Sequence, residues 1–180
     1  KPDHIVIVDN CSQDDTIEVL KKQYPEVELI QLEDNLGFAA GLAAGMKANI
    51  DKDFDYFWLM DDDSFPQPDF LIKQLENLEE DNFGILGSYG FIHNYFNQTK
   101  VDKGQIQEVD FVLVDCALIK ANVIREIGVP NASIFMMCED LEYCKRIKKA
   151  GYKVLCLPNQ SISRLHLGSA TNTYALKWRA

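Results

Sequence analysis

Short apolar runs alternate with amphipathic segments through the first half of the chain. Residues 4–10, "HIVIVDN", form a β-branched run that ends in polar residues, which predicts a buried strand. Residues 12–24 carry apolar positions about one helical turn apart and stop at Pro25, which predicts an amphipathic helix. The alternation continues with a predicted strand at 27–32, a Gly- and Ala-rich helix from about Phe38, a strand at 56–61 and a helix at 68–80.

The second half of the chain places its predicted strands closer together. Strands are predicted at residues 83–92, 107–119, 152–158 and 161–167, and helices at 120–128 and 139–151. Strands that alternate with helices favour a parallel sheet, whereas closely spaced strands indicate a mixed one. We therefore expect one α/β domain whose central sheet is mostly parallel and partly mixed.

The composition supports a folded domain and excludes some functions. The chain has 180 residues, of which 47% are hydrophobic, and this is enough for a core. The formal net charge of −10 disfavours nucleic-acid binding, because the phosphate backbone is bound mainly through Lys and Arg. No apolar run reaches membrane-spanning length. The five cysteines are odd in number and form no CxxC pair, so we expect free, buried thiols.

Polar residues end two of the predicted strands. Asp9 and Asn10 follow the first strand, and three consecutive aspartates, Asp61, Asp62 and Asp63, follow the third. In open α/β sheets, ligands bind at the carboxyl ends of the strands. A carboxylate at Asp9 can accept hydrogen bonds from a nucleotide base or from ribose hydroxyls. Helix capping and turn formation are the alternative explanation for this stretch, and on the pattern alone the two are about equal.

The three aspartates repel one another unless a cation or solvent neutralises them. Carboxylate oxygens are the ligands that Mg²⁺ and Mn²⁺ prefer, and Mg²⁺ commonly shares its shell with substrate phosphates. The run at the end of a buried strand therefore predicts a site for a divalent cation and a phosphorylated ligand. The alternative is a solvated acidic turn.

A further candidate site is the helix start in "FMMCEDLEYCKRIKKAG". Asp140 follows Glu139 beside a loop that contains Met and Phe, and a carboxylate half buried in such surroundings has a raised pKa and can act as a general base. The alternative is that these acids complement the helix dipole. Glu142 and Arg146 are four residues apart, which predicts a structural ion pair. His166, in "SRLHLGS", is a candidate second metal ligand, although a lone histidine is more often structural.

Four motifs occur together in the order "VIVDNCSQDDT", "DNLGFAAGLAAG", "WLMDDDSFPQPDFL" and "CEDLEYCKRIKKAGYKV". The ordered set resembles the family 2 glycosyltransferases, and among them the rhamnosyl- and galactofuranosyltransferase-like members. The resemblance implies the GT-A fold, a Rossmann-like three-layer sandwich. It also implies an inverting transfer of sugar from a nucleotide-diphosphate donor, UDP- or dTDP-linked, to an acceptor hydroxyl in polysaccharide or glycolipid synthesis. The implied cofactor is Mn²⁺ or Mg²⁺.

The resemblance also implies a role for each motif residue. Asp140 would be the catalytic base, and Asp63 would ligate the metal, with His166 as a second ligand. The residues implied to bind the nucleotide sugar are Asp9, Asn10, Asn35, Asp61 and Asp62. In the family pattern "EDxD" the last acid is often Asp, and Glu142 takes that place here.

The resemblance leads to expectations about the whole chain. Residues 1–180 would form a single GT-A domain that lacks the usual first strand and C-terminal extension. The acceptor would be a saccharide or a lipid-linked saccharide, and the location cytoplasmic, with peripheral contact to the inner face of the membrane as a further expectation. Residues 88–105 would either contribute to acceptor specificity or form a disordered connection.

Two other functions compete with this interpretation. A nucleotidyltransferase also uses an acidic metal site beside an α/β sheet, but it would normally carry a Gly-rich phosphate loop with Lys or Arg near the N-terminus, and the sequence shows none. A non-catalytic domain that binds sugar nucleotides is the second alternative.

Overall fold

The computed structural model describes residues 2–78, 82–94, 97–100, 105–158 and 162–164. The side chains of residues 93, 94, 97–100, 163 and 164 are excluded from that description. His166 lies outside the described residues, so the structure does not bear on the role predicted for it. No helix among the described residues is both long enough and apolar enough to cross a membrane.

The elements of the first half follow the predicted order. They are β1 (Val6–Asp9), α1 (Thr16–Gln23), β2 (Glu28–Gln31), α2 (Phe38–Asn49), β3 (Tyr56–Trp58), β4 (Ser64–Pro66) and α3 (Phe70–Glu76). The sequence pattern did not predict strand β4, because its segment "SFPQPDF" contains two prolines, which disfavour strands. Pro66 ends the strand, and β4 is only three residues long.

The second half contains more and shorter strands than predicted. They are β5 (Phe83–Gly87), β6 (Gly90–Asn94), β7 (Asn97–Lys100), β8 (Gln107–Glu108), β9 (Phe111–Val112), β10 (Leu118–Lys120), β11 (Lys153–Cys156) and β12 (Ile162–Arg164), with helices α4 (Ala121–Ile127) and α5 (Glu139–Lys149). The predicted strand at 83–92 is split at residues 88 and 89. The predicted strand at 107–119 is split twice, and Cys116 has a left-handed φ of 55° that no continuous strand allows.

The main described sheet is mixed and has the order β3-β10-β5-β11-β8. Strands β3, β5 and β11 run in one direction, since β10 is antiparallel to both β3 and β5, and β11 is parallel to β5. Strand β8 is antiparallel to β11. Beside this sheet, β1 and β2 pair in parallel, so their carboxyl ends lie at the same edge.

Helices cover both faces of the sheet, which gives the three layers that were predicted. Consecutive residues of β5 face opposite ways: Ile85 packs in a cluster with residues of α2, α4 and α5, while Leu86 packs in a second cluster with Leu155 and Leu157. Gln74 of α3 lies on the second side, where its Nε2 donates to the carbonyl oxygen of Leu86 at 3.3 Å. Each fully buried Ile or Leu side chain contributes roughly 1.5–3 kcal/mol to folding.

The cysteines form no disulfide. All five are free, and Cys116, Cys144 and Cys156 are buried. The prediction of free thiols is therefore confirmed, and burial raises the pKa of the Cys144 thiol to about 12 and that of Cys156 to about 11. Cys138 is exposed and Cys11 is half buried, so the prediction of burial is wrong for these two.

Candidate active site

Asp9, Asn10 and Asn35 come together at the carboxyl edge of β1 and β2. Asp9 is buried, with 6% of its surface exposed, and its two carboxylate oxygens accept the Ser12 N–H at 3.3 and 3.2 Å. Asn10 Oδ1 accepts the N–H of Leu36 at 3.0 Å, which joins the two loops that follow these strands. Asn35 Oδ1 accepts the Gly37 N–H at 3.1 Å. The three side chains thus order their own loops. For Asp9, this contact is also what the alternative interpretation as a turn-forming residue predicts.

Gly37 connects this edge to the loop that precedes α5. Its φ is +87°, in the region that favours glycine, and a Cβ at this position would overlap the carbonyl group of Phe135. The next residue, Phe38, donates its N–H to that same carbonyl oxygen at 2.9 Å. The sequence analysis did not assign Gly37 a role. The signal that could have found it is a glycine immediately before a predicted helix, at a position where a side-chain cap is common.

The three aspartates belong to a short segment, the acidic turn (residues 61–64), which follows β3 and includes Ser64, the first residue of β4. Asp62 is exposed, Asp61 and Asp63 are half buried, and Ser64 is buried. The backbone N–H of Asp61 donates to Asp115 Oδ1 at 3.0 Å, and Ser64 Oγ donates to Asp115 Oδ2 at 2.7 Å. One carboxylate therefore holds both ends of the acidic turn.

Asp115 was missed by sequence reasoning. It is buried, with 3% of its surface exposed, and it lies in "FVLVDCALI", which was interpreted as part of one continuous strand. The available signal was a single charged residue inside an apolar run, since a buried charge needs hydrogen-bonding partners. Here the partners are supplied by the acidic turn.

Strand β12 lies beside the acidic turn. It pairs antiparallel with β4, and Arg164 is the backbone partner of Ser64. His166 follows Arg164 by two residues in the sequence and is outside the described residues. Its assignment as a metal ligand stays a prediction.

Asp140 lies in the first turn of α5. The two residues Met137 and Cys138 have left-handed φ angles of 70° and 71°, and the chain turns there into the helix. Asp140 Oδ1 accepts the N–H of Val114 at 2.9 Å. Val114 is the residue before Asp115, so adjacent residues of one turn contact the candidate base and the acidic turn.

The surroundings of Asp140 change its acidity. The pKa of Asp140 is raised to about 6, chiefly because the carboxyl group is buried; the hydrogen bond from Val114 opposes this rise, and the negative charges of Glu139 and Asp115 add to it. The predicted raised pKa is therefore confirmed. A carboxyl group with this pKa is mostly ionised at pH 7 and still takes up a proton readily, which are the properties of a general base.

The neighbours of Asp140 in α5 differ in their surroundings. Glu139 is buried, with 7% exposed, and its Oε2 has no hydrogen-bond partner among the described residues. Glu142 forms the predicted ion pair with Arg146, with Nε to Oε1 at 2.6 Å. Arg146 also donates to the carbonyl oxygens of Ile127 and Val129, so this pair joins α5 to the end of α4 and is structural.

The residues present fit a divalent cation in ligand chemistry. The acidic turn supplies carboxylate oxygens, which are the ligands that Mg²⁺ and Mn²⁺ prefer. Among the described residues, however, no group of three or more His, Cys, Asp or Glu side chains is arranged to hold a metal ion.

Sequence comparison places the chain among known glycosyltransferases. The family model for glycosyl transferase family 2 matches residues 1–128. The galactofuranosyltransferases GlfT1 of Mycolicibacterium smegmatis and of Mycobacterium tuberculosis are each 24% identical to this chain, over 173 and 172 residues. These alignments cover 84% and 83% of this chain but 57% and 56% of the relatives, so the chain spans little more than half of their length.

Solved structures share the fold at low sequence identity. GalNAc-T7 with UDP, GalNAc and Mn²⁺ has a TM-score of 0.73 at 13% identity, covering 91% of this chain and 38% of that one. S. aureus TarS 1–349 in complex with UDP-GlcNAc has a TM-score of 0.67 at 15% identity, covering 93% and 52%. The mannosyltransferase PcManGT from Pyrobaculum calidifontis, with GDP-Man and Mn²⁺, has a TM-score of 0.63 at 15% identity, covering 87% and 46%. The family model matches well over half of the length of this chain. The chain therefore belongs to glycosyl transferase family 2, and it has the GT-A fold.

Proposed function

We propose that this chain is the donor-binding and catalytic domain of an inverting glycosyltransferase. It would move a sugar from a nucleotide-diphosphate donor to an acceptor hydroxyl in polysaccharide or glycolipid synthesis. The observation that carries the proposal is that two neighbouring residues contact both parts of the site. Val114 donates a hydrogen bond to Asp140, and Asp115 accepts hydrogen bonds from Asp61 and Ser64. A base and a set of oxygen ligands are thereby held next to one turn.

Asp140 is the residue proposed to act on the acceptor. With a pKa of about 6 it is ionised at neutral pH and would take the proton of the acceptor hydroxyl as that oxygen attacks the anomeric carbon. Attack from the face opposite the leaving group, in a single displacement, inverts the configuration. Glu142 does not share this role, because its carboxylate is bound by Arg146.

The remaining candidates are proposed to bind the donor. Asp9, Asn10 and Asn35 lie at the edge of β1 and β2 and would contact the nucleotide, while Asp61 and Asp62 would hold the ribose and the donor sugar. Asp63 would ligate Mn²⁺ or Mg²⁺, with His166 as a second ligand. A bound cation supplies positive charge that stabilises the leaving nucleotide diphosphate. Two structural neighbours contain Mn²⁺, which supports divalent metal use.

The comparisons guide the choice of donor. The neighbours carry UDP, UDP-GlcNAc or GDP-Man, and the curated relatives are named galactofuranosyltransferases. We therefore propose a UDP-linked sugar as donor, with dTDP-linked sugars as the next class, and a saccharide or lipid-linked acceptor. A cytoplasmic location and peripheral membrane contact belong to the same proposal and rest on the family resemblance alone.

Site-directed variants test these roles. Donor hydrolysis and transfer are measured with Mn²⁺ over a panel of nucleotide sugars that includes UDP-galactofuranose, and UDP binding is measured by calorimetry. We expect Asp140→Asn to lower turnover by about 10²- to 10⁴-fold, because only the base is lost, while UDP binding persists. Asp63→Ala should weaken Mn²⁺-dependent UDP binding.

A matched control is available on the same stretch of chain. Asp69 is an exposed acid that pairs with Lys73, so Asp69→Asn should leave both activity and binding unchanged. Undiminished activity in both Asp140→Asn and Asp63→Ala would contradict the assigned roles. UDP binding without any turnover by the parent protein would favour the non-catalytic alternative.

A further inference from the structure

The turn that joins β9 to β10 contacts both halves of the candidate site. This bridging turn (residues 114–117) is closed by a hydrogen bond from the N–H of Ala117 to the carbonyl oxygen of Val114 at 3.0 Å. Its Val114 N–H binds Asp140 Oδ1 at 2.9 Å, and its Asp115 carboxylate binds the acidic turn. Two consecutive residues thus fix the position of Asp140 relative to Asp61.

Asp115 contacts the acidic turn at both of its ends. Its Oδ1 accepts the Asp61 N–H at 3.0 Å, and its Oδ2 accepts the Ser64 hydroxyl at 2.7 Å. Hydrogen bonds to an ionised carboxylate are shorter and stronger than neutral ones. Because Asp115 is 3% exposed and both oxygens are engaged, its carboxylate orders the backbone of the acidic turn from below the surface.

The bridging turn is itself held by the surrounding elements. The carbonyl oxygen of Cys116 accepts Trp58 Nε1 at 3.3 Å and Gln74 Nε2 at 2.9 Å, which attaches it to β3 and to α3. The carbonyl oxygen of Ala117 accepts the Leu59 N–H at 2.9 Å. Asp115 therefore extends from a backbone that the core fixes, and this lets it hold the partly exposed acidic turn in place.

We propose that Asp115 is a positioning residue that keeps the acidic turn at a fixed distance from Asp140. The inference rests on the proposed function and adds to it a residue that touches neither donor nor acceptor. A misplacement of about 1 Å in a catalytic constellation costs up to about 100-fold in rate. Loosening the acidic turn should therefore reduce turnover and donor binding without removing any group that contacts substrate.

Substitutions at Asp115 separate positioning from a direct role. Asp115→Asn keeps an oxygen for the Asp61 N–H and gains an amide that donates to Ser64 Oγ, so it should stay within about fivefold of the parent in kcat. Asp115→Ala removes both contacts and should lower kcat by about 10- to 100-fold and raise the donor KM. Ser64→Ala removes one of the two contacts, so its kcat should lie between those of Asp115→Asn and Asp115→Ala.

Asn49→Ala is the control for a general loss of stability. Asn49 is a buried polar residue at the far end of α2, where it donates to the carbonyl oxygen of Gly45 and to Glu28. This variant should lower the melting temperature while leaving kcat and donor KM near the parent values. If Asp115→Ala behaves in the same way, Asp115 is only structural and the proposal fails.

Hydrogen–deuterium exchange gives a readout that does not depend on activity. In Asp115→Ala, amides of the peptide covering residues 61–64 should exchange at least about tenfold faster than in the parent, while Asp115→Asn should stay close to the parent. Unchanged exchange in Asp115→Ala overturns the proposal. An Asn variant as impaired as the Ala variant also overturns it, because that result indicates a direct role for the charge. A parent protein without turnover refutes the proposed function, while the exchange result still decides the role of Asp115.

Discussion

At the scale of single residues, Asp140 titrates within the range of an ordinary assay. Its pKa is about 6, raised chiefly by burial. Since the base must be ionised, kcat/KM should rise about tenfold per pH unit below pH 6 and level off above it. The measurement is kcat/KM for the donor from pH 4.5 to pH 8 at fixed Mn²⁺.

A second variant makes this pH prediction sharper. The charge of Asp115 is one of the causes that raise the pKa of Asp140, so Asp115→Asn should move the inflection to lower pH. Asp69→Asn alters an exposed acid in an ion pair with Lys73 and should leave the inflection in place. A flat profile between pH 5 and pH 7 in the parent would contradict the assignment of Asp140 as base.

Residues differed in how far the sequence revealed them. The position of Asp140 in the first turn of a helix was predictable, because acids at the start and bases near the end of an amphipathic segment form a local pattern, while its role as base stays a prediction. Asp115 was not predictable, because its role depends on contacts with Asp61 and Ser64, 54 and 51 residues away in the chain. The pattern of apolar and polar positions indicates only that such a residue is a polar position within a predicted strand.

At the scale of elements, helices were predicted better than strands. The start of α2 at Phe38 agrees with the prediction, because its Gly- and Ala-rich segment follows a loop motif. The predicted strand at 107–119 is instead β8, β9 and most of β10, and β9 is separated from β10 by a turn in which Cys116 has a left-handed backbone. Cysteine rarely adopts that conformation, so the sequence offered no signal for the turn.

The junction between α2 and the loop before α5 can be tested through two glycines. Gly37→Ala places a Cβ where the Phe135 carbonyl lies and forces alanine to φ +87°, so we expect a loss of about 2 kcal/mol or more. Gly41 lies inside α2 with open space around it, so Gly41→Ala should be neutral or stabilise by about 0.5–1 kcal/mol. Urea denaturation of both variants measures the difference.

The contrast between the two glycine variants is the critical result. If both alanine variants have the same midpoint, the contact between Gly37 and Phe135 does not constrain the fold. If Gly37→Ala is destabilised and Gly41→Ala is not, position 37 requires glycine, as its positive φ and its close approach to the Phe135 carbonyl predict.

At the scale of the whole molecule, the alternation of strands and helices predicted the α/β class, and the GT-A fold followed from the resemblance. The position of β10 between β3 and β5 was not predictable, because it pairs Ile119 with Phe57 and Ile85, far apart in sequence. Pairings of this kind are decided by the packing of the complete sheet, and a local sequence pattern contains no information about that packing.

The stability of the whole molecule should depend on pH through Asp140. The folded pKa of about 6 lies above the ordinary value of 3.8, so the folded state binds the proton more tightly than the unfolded state. Asp140 therefore favours folding most below pH 4, and this contribution is lost as the pH rises through 6. Above pH 6 the buried charge costs about 1–3 kcal/mol relative to a neutral side chain.

Comparison of the parent with Asp140→Asn isolates this contribution from the other acids of a chain with net charge −10. The asparagine keeps an oxygen for the Val114 N–H but carries no charge. At pH 7.5 the variant should melt higher than the parent, by about 2–4 °C for each kcal/mol regained. Near pH 4 the two melting curves should converge, because Asp140 is then neutral in the folded parent. A variant that melts lower than the parent at pH 7.5 would show that the ionised carboxylate stabilises the fold, contrary to the effect expected from its burial.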